Sequence, residues 1–322
     1  MASHEIQKVW ADGCFDMFHY GHANALRQSK ALGDYLIAGV HSSLSINQEK
    51  GLPVMEDEER YEVVEGCRYV DEVVRDAPFV TQTSMIKEYG VSIVAHGNDI
   101  VLDSSGQDSY CQVRRMGIFR EVERTFGIST TEIVGRMMLK NRGSWLDGEN
   151  GESSKDSGYH DRLLSLFMSS MGREKRGKVV FMDGNFDLFH AGHVASLRIA
   201  RGMGDYLIVG IHDDETTKEY TRSYPVLSTK ERMLTLMACR YVDEIVVSPY
   251  LVGSEFIKRH GIDVVAPSFD SKDLSRYDGI KDVVEHSYAE NRFNYLSAEH
   301  IVNRIISNYQ DYANRQKKKT GK

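Results

Sequence analysis

The chain has 322 residues, a formal net charge of −7, 41% hydrophobic and 27% charged residues. That is a globular composition with room for two domains, and it excludes wholesale disorder. The acidic balance argues against a nucleic-acid-coating protein, which needs a basic face to neutralise phosphates.

No apolar run is long enough to span a bilayer, and the first residues, Met1-Ala2-Ser3-His4-Glu5, do not form a basic-then-apolar leader. No transmembrane segment is therefore expected. The four cysteines, Cys14, Cys67, Cys111 and Cys239, form no CxxC pair. Reduced thiols and a cytoplasmic location are expected, with no zinc cluster.

Taken in chain order, Val9-Trp10-Ala11 reads as a strand running into a loop at Asp12-Gly13, followed by a helix over 22–32. Tyr35–Val40 is a short apolar run suited to a buried parallel strand. A helix is expected over Glu56–Gly66, then strands at Glu72–Val74 and Val91–Ala95. Alternating strands and helices predict an α/β, doubly wound, Rossmann-like fold, with ligands beyond the carboxyl ends of the strands. Residues 143–160 are rich in Gly, Ser and acids, a linker composition. The segment DRLLSLFMSSMG at 161–172 reads as a short amphipathic helix packed on a domain.

The same order then begins again. Residues 180–214 repeat 9–43 at an offset of 171, with Asp12/Asp183, Phe15/Phe186, His19/His190, His22/His193 and His41/His212 in register. Cys67-Arg68-Tyr69-Val70-Asp71-Glu72 recurs as Cys239-Arg240-Tyr241-Val242-Asp243-Glu244. The chain is a duplication, with expected domains at 1–142 and 177–322 and a linker with a short helix at 143–176.

The first strand–loop–helix junction is where a phosphate site is expected, because a helix amino end offers unpaired N–H groups and partial positive charge. No Gly-x-Gly-x-x-Gly stands there. GREKRGKV at 172–179 only approximates a P-loop, with Val179 at the magnesium-binding hydroxyl position and the strand on the wrong side. The junction instead carries His19-Tyr20-Gly21-His22 and, in the second repeat, His190-Ala191-Gly192-His193. Two imidazoles three apart share a helix face and can donate to phosphate, while the glycine admits a close approach. Such histidines could also act as caps or form half of a metal site. Their duplication after a strand ending in Asp-Gly favours phosphate.

The pattern Gly13, Phe15, Asp16, His19, Gly21, His22 resembles the GxFDxxHxGH signature of the cytidylyltransferases, within the nucleotidyltransferase superfamily. Arg124-Thr125-Phe126-Gly127-Ile128-Ser129-Thr130-Thr131 is similar to that family's second signature, RTxGxSTT. Tandem copies resemble the branch that uses phosphoethanolamine. The resemblance implies transfer of CMP from CTP, accompanied by Mg2+, to phosphoethanolamine, releasing pyrophosphate for phospholipid synthesis. The residues agree. A phosphomonoester is already largely dianionic at neutral pH, so the task is electrostatic and needs cations and N–H donors, with no carboxylate dyad.

By position, the resemblance implies that His19, His22, Lys50 and Arg124 are catalytic and hold the reacting phosphates. Cys14, Phe15, His96, Gly97, Thr125, Gly127, Ser129, Thr130 and Thr131 would bind CTP, with the Ser-Thr-Thr run also able to cap a helix. His41 is expected near the site rim. Phe79 and Asp99 would meet the acceptor: Phe79 stands where choline enzymes carry Trp, and Asp99 could accept from a primary ammonium. Phosphocholine and glycerol-3-phosphate are the alternative acceptors, and a nucleotide-binding regulator without turnover is the non-enzymatic alternative. No protein-borne metal site is expected.

The second repeat departs from both signatures. Pro267-Ser268-Phe269-Asp270 replaces His96-Gly97-Asn98-Asp99, and Arg292-Phe293-Asn294-Tyr295-Leu296-Ser297-Ala298-Glu299 replaces the RTxGxSTT segment. The first half is expected to do the chemistry. Asn185, Phe186, His190 and His193 are left as a candidate second nucleotide site. The repeated Arg-Tyr-Val-Asp-Glu suggests an intramolecular pseudo-dimer in a monomeric chain. The basic run Arg315–Lys322 reads as a solvated tail, with weak contact to an anionic membrane surface as the minor alternative.

Overall fold

The computed structural model describes residues 6–141, 154–268, 273–285 and 291–308. Residues 143–153 of the expected linker, the basic tail, and Phe269 and Asp270 lie outside the described residues. The chain forms two compact units. One comprises the described residues of Met1–Glu132 and Ile301–Lys322, the other those of Ile133–His300.

The first unit runs β1 (Lys8–Gly13), α1 (Tyr20–Lys30), β2 (Tyr35–Val40), α2 (Ser43–Glu49), α3 (Asp57–Glu65), β3 (Glu72–Arg75), α4 (Thr83–Glu88), β4 (Ile93–Gly97), α5 (Cys111–Arg115) and β5 (Phe119–Val122). Its sheet is wholly parallel in the order β3-β2-β1-β4-β5. The order reverses between β1 and β4, which opens a crevice at their carboxyl ends. The fold class expected from the sequence is the one observed. The edge strand β5 and the helices α2, α4 and α5 were not anticipated, since all are short.

The helix α6 (Thr130–Asn141) leads out of the first unit, and α7 (Ser154–Met168) starts earlier than the segment expected to pack on a domain and takes in its residues 161–168. That part packs as expected, burying Leu163 and Phe167, and the helix lies against the helix Thr229–Met237. The second unit then repeats the plan: β6 (Val179–Gly184), α8 (Ala191–Gly202), β7 (Tyr206–Ile211), α9 (Asp214–Thr221), α10 (Thr229–Met237), β8 (Glu244–Val247), α11 (Ser254–His260) and β9 (Val264–Val265). Its parallel sheet has the order β8-β7-β6-β9. The last helix is α12 (Ala298–Ser307). Among the described residues, no helix is long and apolar enough to cross a membrane.

The repeats and the compact units have different boundaries. Most of α6 belongs to the second unit, where Arg136 pairs with Glu231 at 2.8 Å; most of α12 belongs to the first, where Arg304 pairs with Glu59 at 2.7 Å. The expected boundary near 142 therefore falls about ten residues beyond the one that packing draws.

The turn from β1 to α1 is the most constrained backbone in the first unit. Phe15 (φ 47°) and Met17 (φ 50°) both adopt the left-handed region, which is costly for bulky residues. Between them, the buried Asp16 carboxylate accepts from the backbone N–H groups of Val54 (3.0 Å) and Met55 (2.9 Å). The second unit builds the same device from Phe186, Leu188 and Asp187, the last held by Val226 and Leu227. Each hydrogen bond to a charged acceptor contributes about 1.5–3 kcal/mol. Because Asp16→Ala removes the acceptor of two donors, we expect it to lower stability by about 3 kcal/mol or more, seen as a lower urea midpoint with an unchanged slope.

Candidate active site

A pocket at the carboxyl ends of β1 and β4 is lined by Cys14, Phe15, His19, His22, Lys50, His96, Gly97, Asp99, Arg124, Thr125, Ser129 and Thr130, together with Asp12 and Asp16. Twelve of the fifteen first-repeat residues selected from the sequence thus line one crevice. Gly127, Thr131 and Phe79 do not line it. Gly127 supplies a turn at φ 79°, and Phe79 is buried with the Lys50 ammonium 5.0 Å over its ring. His41, expected near the rim, is buried behind the pocket, where Nδ1 lies 3.0 Å from the Ala77 carbonyl oxygen and the ring packs on Phe79.

The histidine pair is organised by helix capping. His19 is the N-cap of α1 in extended conformation; its Nδ1 accepts from Gly21 N–H (3.1 Å), and His22 Nδ1 accepts from His19 N–H (3.4 Å). With both Nδ1 atoms accepting, the neutral rings carry their protons on Nε2. The rings stack at 4.0 Å and present two parallel N–H donors at a helix amino end. Gly21 is required here, because a Cβ would lie 2.8 Å from both the His19 ring and Ile128.

The second signature closes the other wall. Ser129 Oγ accepts from Glu132 N–H (3.1 Å) as a helix cap, Thr130 Oγ1 donates to the Asp16 carbonyl (2.9 Å), and Asn24 donates to buried Thr125 (3.0 Å). Arg124 is exposed at the pocket mouth. His96 packs tilted against Tyr110, with ring centroids 4.6 Å apart, and Asp99 is exposed, its carboxylate lying over Gly97.

Sequence reasoning missed the role of Asp12. Its buried carboxylate accepts from Trp10 Nε1 (2.8 Å), Thr81 Oγ1 (2.8 Å) and the Tyr110 hydroxyl (2.5 Å). All three donors are neutral, and Asp12 lines the pocket. Burial and the Asp12 charge raise the Tyr110 pKa well above the usual phenol value, keeping that hydroxyl a donor. The duplication of Asp12 as Asp183 was the available signal. Tyr110, distant in sequence and outside both signatures, gave none.

In the second unit Asp183 accepts from Tyr277 (2.5 Å) and is paired with the buried Arg276 guanidinium; His212 Nε2 lies 3.4 Å away. Tyr277 takes the place of Tyr110, which puts Arg276 at the position of Ser109. His190 and His193 stack at 3.8 Å but are 1% and 3% exposed, and Phe293, in the place of Thr125, is buried. Asn185 Oδ1 accepts from Asp187 N–H (3.1 Å), and Phe186 repeats the Phe15 conformation.

The cytidylyltransferase-like family profile matches residues 10–136 and 181–301. Along its full length the chain is similar to the ethanolamine-phosphate cytidylyltransferase of Dictyostelium discoideum, 38% identical over 98% of this chain and 95% of that protein. The Mus musculus protein of the same name is 35% identical over 98% and 90%. The chain belongs to the ethanolamine-phosphate cytidylyltransferase family. By contrast, similarity to the choline-phosphate cytidylyltransferase A of Rattus norvegicus, at 46% identity, covers only 41% of this chain and 36% of that protein. The tandem architecture is therefore shared with the ethanolamine-phosphate family.

Burial lowers the His22 pKa to about 4, so the free protein holds a neutral imidazole at pH 7. The depressed folded-state value gives the sign. As pH falls from about 6.5 towards about 4, the unfolded chain takes up a proton that the folded chain does not, and stability is lost across that window. Thermal midpoints of wild type and His22→Asn measured from pH 7 to 4 should converge as the pH falls, because the variant lacks this titration.

Proposed function

We propose that the chain transfers CMP from CTP to phosphoethanolamine, releasing pyrophosphate, and that the first repeat performs the reaction. The observation that carries the assignment is the pair of stacked, Nε2-protonated imidazoles facing a pocket with Lys50 and Arg124. A phosphate oxygen of the acceptor attacks the α-phosphorus of CTP, and the bond to the pyrophosphate oxygen breaks. No general base is needed, because the acceptor is already ionised at neutral pH. His19 and His22 donate N–H bonds to triphosphate oxygens, Arg124 grips the triphosphate at the mouth, and Lys50 bridges the reacting phosphates.

Ser129, Thr130 and the α6 amino end extend this cradle, while Cys14, Phe15, His96 and Gly97 lie along the nucleotide. Mg2+ would enter with CTP and supply further charge neutralisation. Among the described residues no group of three or more His, Cys, Asp or Glu could hold a metal, so the phosphates themselves would be its main ligands.

For the acceptor, the contrast between repeats supports Asp12 as the carboxylate that meets the ammonium. Where Arg276 neutralises Asp183, the first repeat leaves the equivalent charge facing an open pocket. Asp99 at the rim is a second carboxylate within the same crevice. The same contrast supports a second repeat without turnover. Cytoplasmic location, pairing of the repeats through their Arg-Tyr-Val-Asp-Glu segments and a solvated basic tail belong to this reading as well, with weak membrane contact by the tail as the minor alternative.

The test is pyrophosphate release with Mg2+, CTP and each of phosphoethanolamine, phosphocholine and glycerol-3-phosphate. We expect turnover with phosphoethanolamine that falls at least about a hundredfold in His22→Ala, the scale for losing one donor at developing charge. His193→Ala should stay within about twofold of wild type. Binding of CTP without turnover on any acceptor would overturn the enzyme reading in favour of a regulator.

A separate measurement addresses the acceptor. Asp12→Asn should raise the KM for phosphoethanolamine about tenfold or more while leaving the KM for CTP within about threefold. Equal effects on both constants would point to a structural role for Asp12.

A further inference from the structure

We propose that Arg304, on α12 of the second repeat, is a positioning residue for the catalytic loop of the first. This rests on the reading that the first repeat performs the transfer. Arg304 makes a bidentate pair with Glu59, Nη1 to Oε2 and Nη2 to Oε1 both at 2.7 Å. Its Nη1 also lies 3.3 Å from the Val54 carbonyl, and Nη2 lies 3.4 Å from Glu56 Oε1.

Glu59 is 1% exposed and doubles as the capping carboxylate of α3, accepting from Glu56 N–H at 2.8 Å. A buried carboxylate of this kind needs a geometrically matched cation, which the planar guanidinium fork supplies.

The contacts continue directly into the site. Arg304 holds the carbonyl side of Val54, whose N–H, with that of Met55, holds the Asp16 carboxylate between the two left-handed residues Phe15 and Met17. Lys50 stands four residues before Val54 in the same loop. Its own N–H is tied to Ile46 O at 2.7 Å, and Gly51 turns at φ 91°. The Lys50–Val54 loop is therefore pinned by α2 at one end and by Asp16 and Arg304 at the other. Releasing the second anchor lets the Lys50 ammonium move relative to the histidine pair, which lowers the rate more than it weakens nucleotide binding.

The second unit contains a comparable ion pair away from the catalytic pocket. Arg232, itself buried, donates from Nη2 to Asp214 at 2.6 Å, and Asp214 also accepts from Thr229 N–H at 3.2 Å. Asp214→Asn is thus a matched control that weakens an ion pair outside the first unit.

The experiment measures kcat, KM for CTP and thermal midpoint for Arg304→Ala, Arg304→Lys, Asp214→Asn and His22→Ala. Arg304→Ala should lose at least about tenfold in kcat with KM for CTP within about threefold. Arg304→Lys, which keeps the charge but not the fork, should recover part of that loss. Asp214→Asn should lower the midpoint comparably yet keep kcat within about twofold of wild type.

The proposal is overturned by wild-type kcat in Arg304→Ala, or by Asp214→Asn losing kcat to the same extent at an equal drop in midpoint. Should Arg304→Ala not fold, Arg304→Lys decides by the same comparison. Full activity in His22→Ala would instead remove the first-repeat reading, whatever Arg304→Ala does.

Discussion

The Asp16 carboxylate, gripped by the N–H groups of Val54 and Met55, is the contact on which the rest of the site depends. The chain must leave β1, turn within six residues and enter α1 with its amino end facing the crevice. That path forces Phe15 and Met17 into the left-handed region, at a cost of order 1–3 kcal/mol each. A buried charge accepting from two rigid backbone donors offsets the strain and fixes the turn in one geometry. Everything downstream inherits that geometry: the N-cap at His19, the stacked imidazoles, and the Thr130 bond to the Asp16 carbonyl that joins the two signature motifs.

Helix capping and phosphate recognition are the same structure seen from two sides. By accepting backbone N–H bonds through Nδ1, the histidines satisfy the orphan donors of α1 and commit their protons to Nε2. Burial keeps the His22 ring neutral, which favours a hydrogen-bond donor over a fixed cation. Fixed positive charge is left to Lys50 and Arg124, which also line the pocket.

The duplicated halves diverge in charge more than in fold. Both carry the left-handed turn, its anchoring aspartate and the histidine pair, because these specify how strand meets helix. The difference lies at one buried carboxylate. Asp12 has only neutral donors, whereas Asp183 has a guanidinium, Arg276, in the place of Ser109. Burying Phe293 in place of Thr125 adds to this, as the second histidine pair loses most of its exposure.

Much of the site was legible because local chemistry writes itself into adjacent residues. A cap, a glycine that admits a ring and a Ser-Thr-Thr helix start all act within a few positions, so His19, Gly21, His22 and Ser129 were readable with no tertiary knowledge. The α/β alternation and the duplication likewise follow from short-range patterning.

What the sequence could not convey is which distant groups share a charge. Asp12 meets Tyr110 across 98 residues, and Arg304 meets Glu59 across 245. The exchange of α6 and α12 between repeat and unit also left no local mark, since a helix amphipathic enough to be buried does not encode the surface it covers. The sequence determined the turn, the cap and the histidine pair, which are local. The tertiary structure decided the neutral partners of Asp12, the guanidinium on Asp183 and the contact of Arg304 with Glu59, because pairing between buried charges depends on packing and not on spacing along the chain.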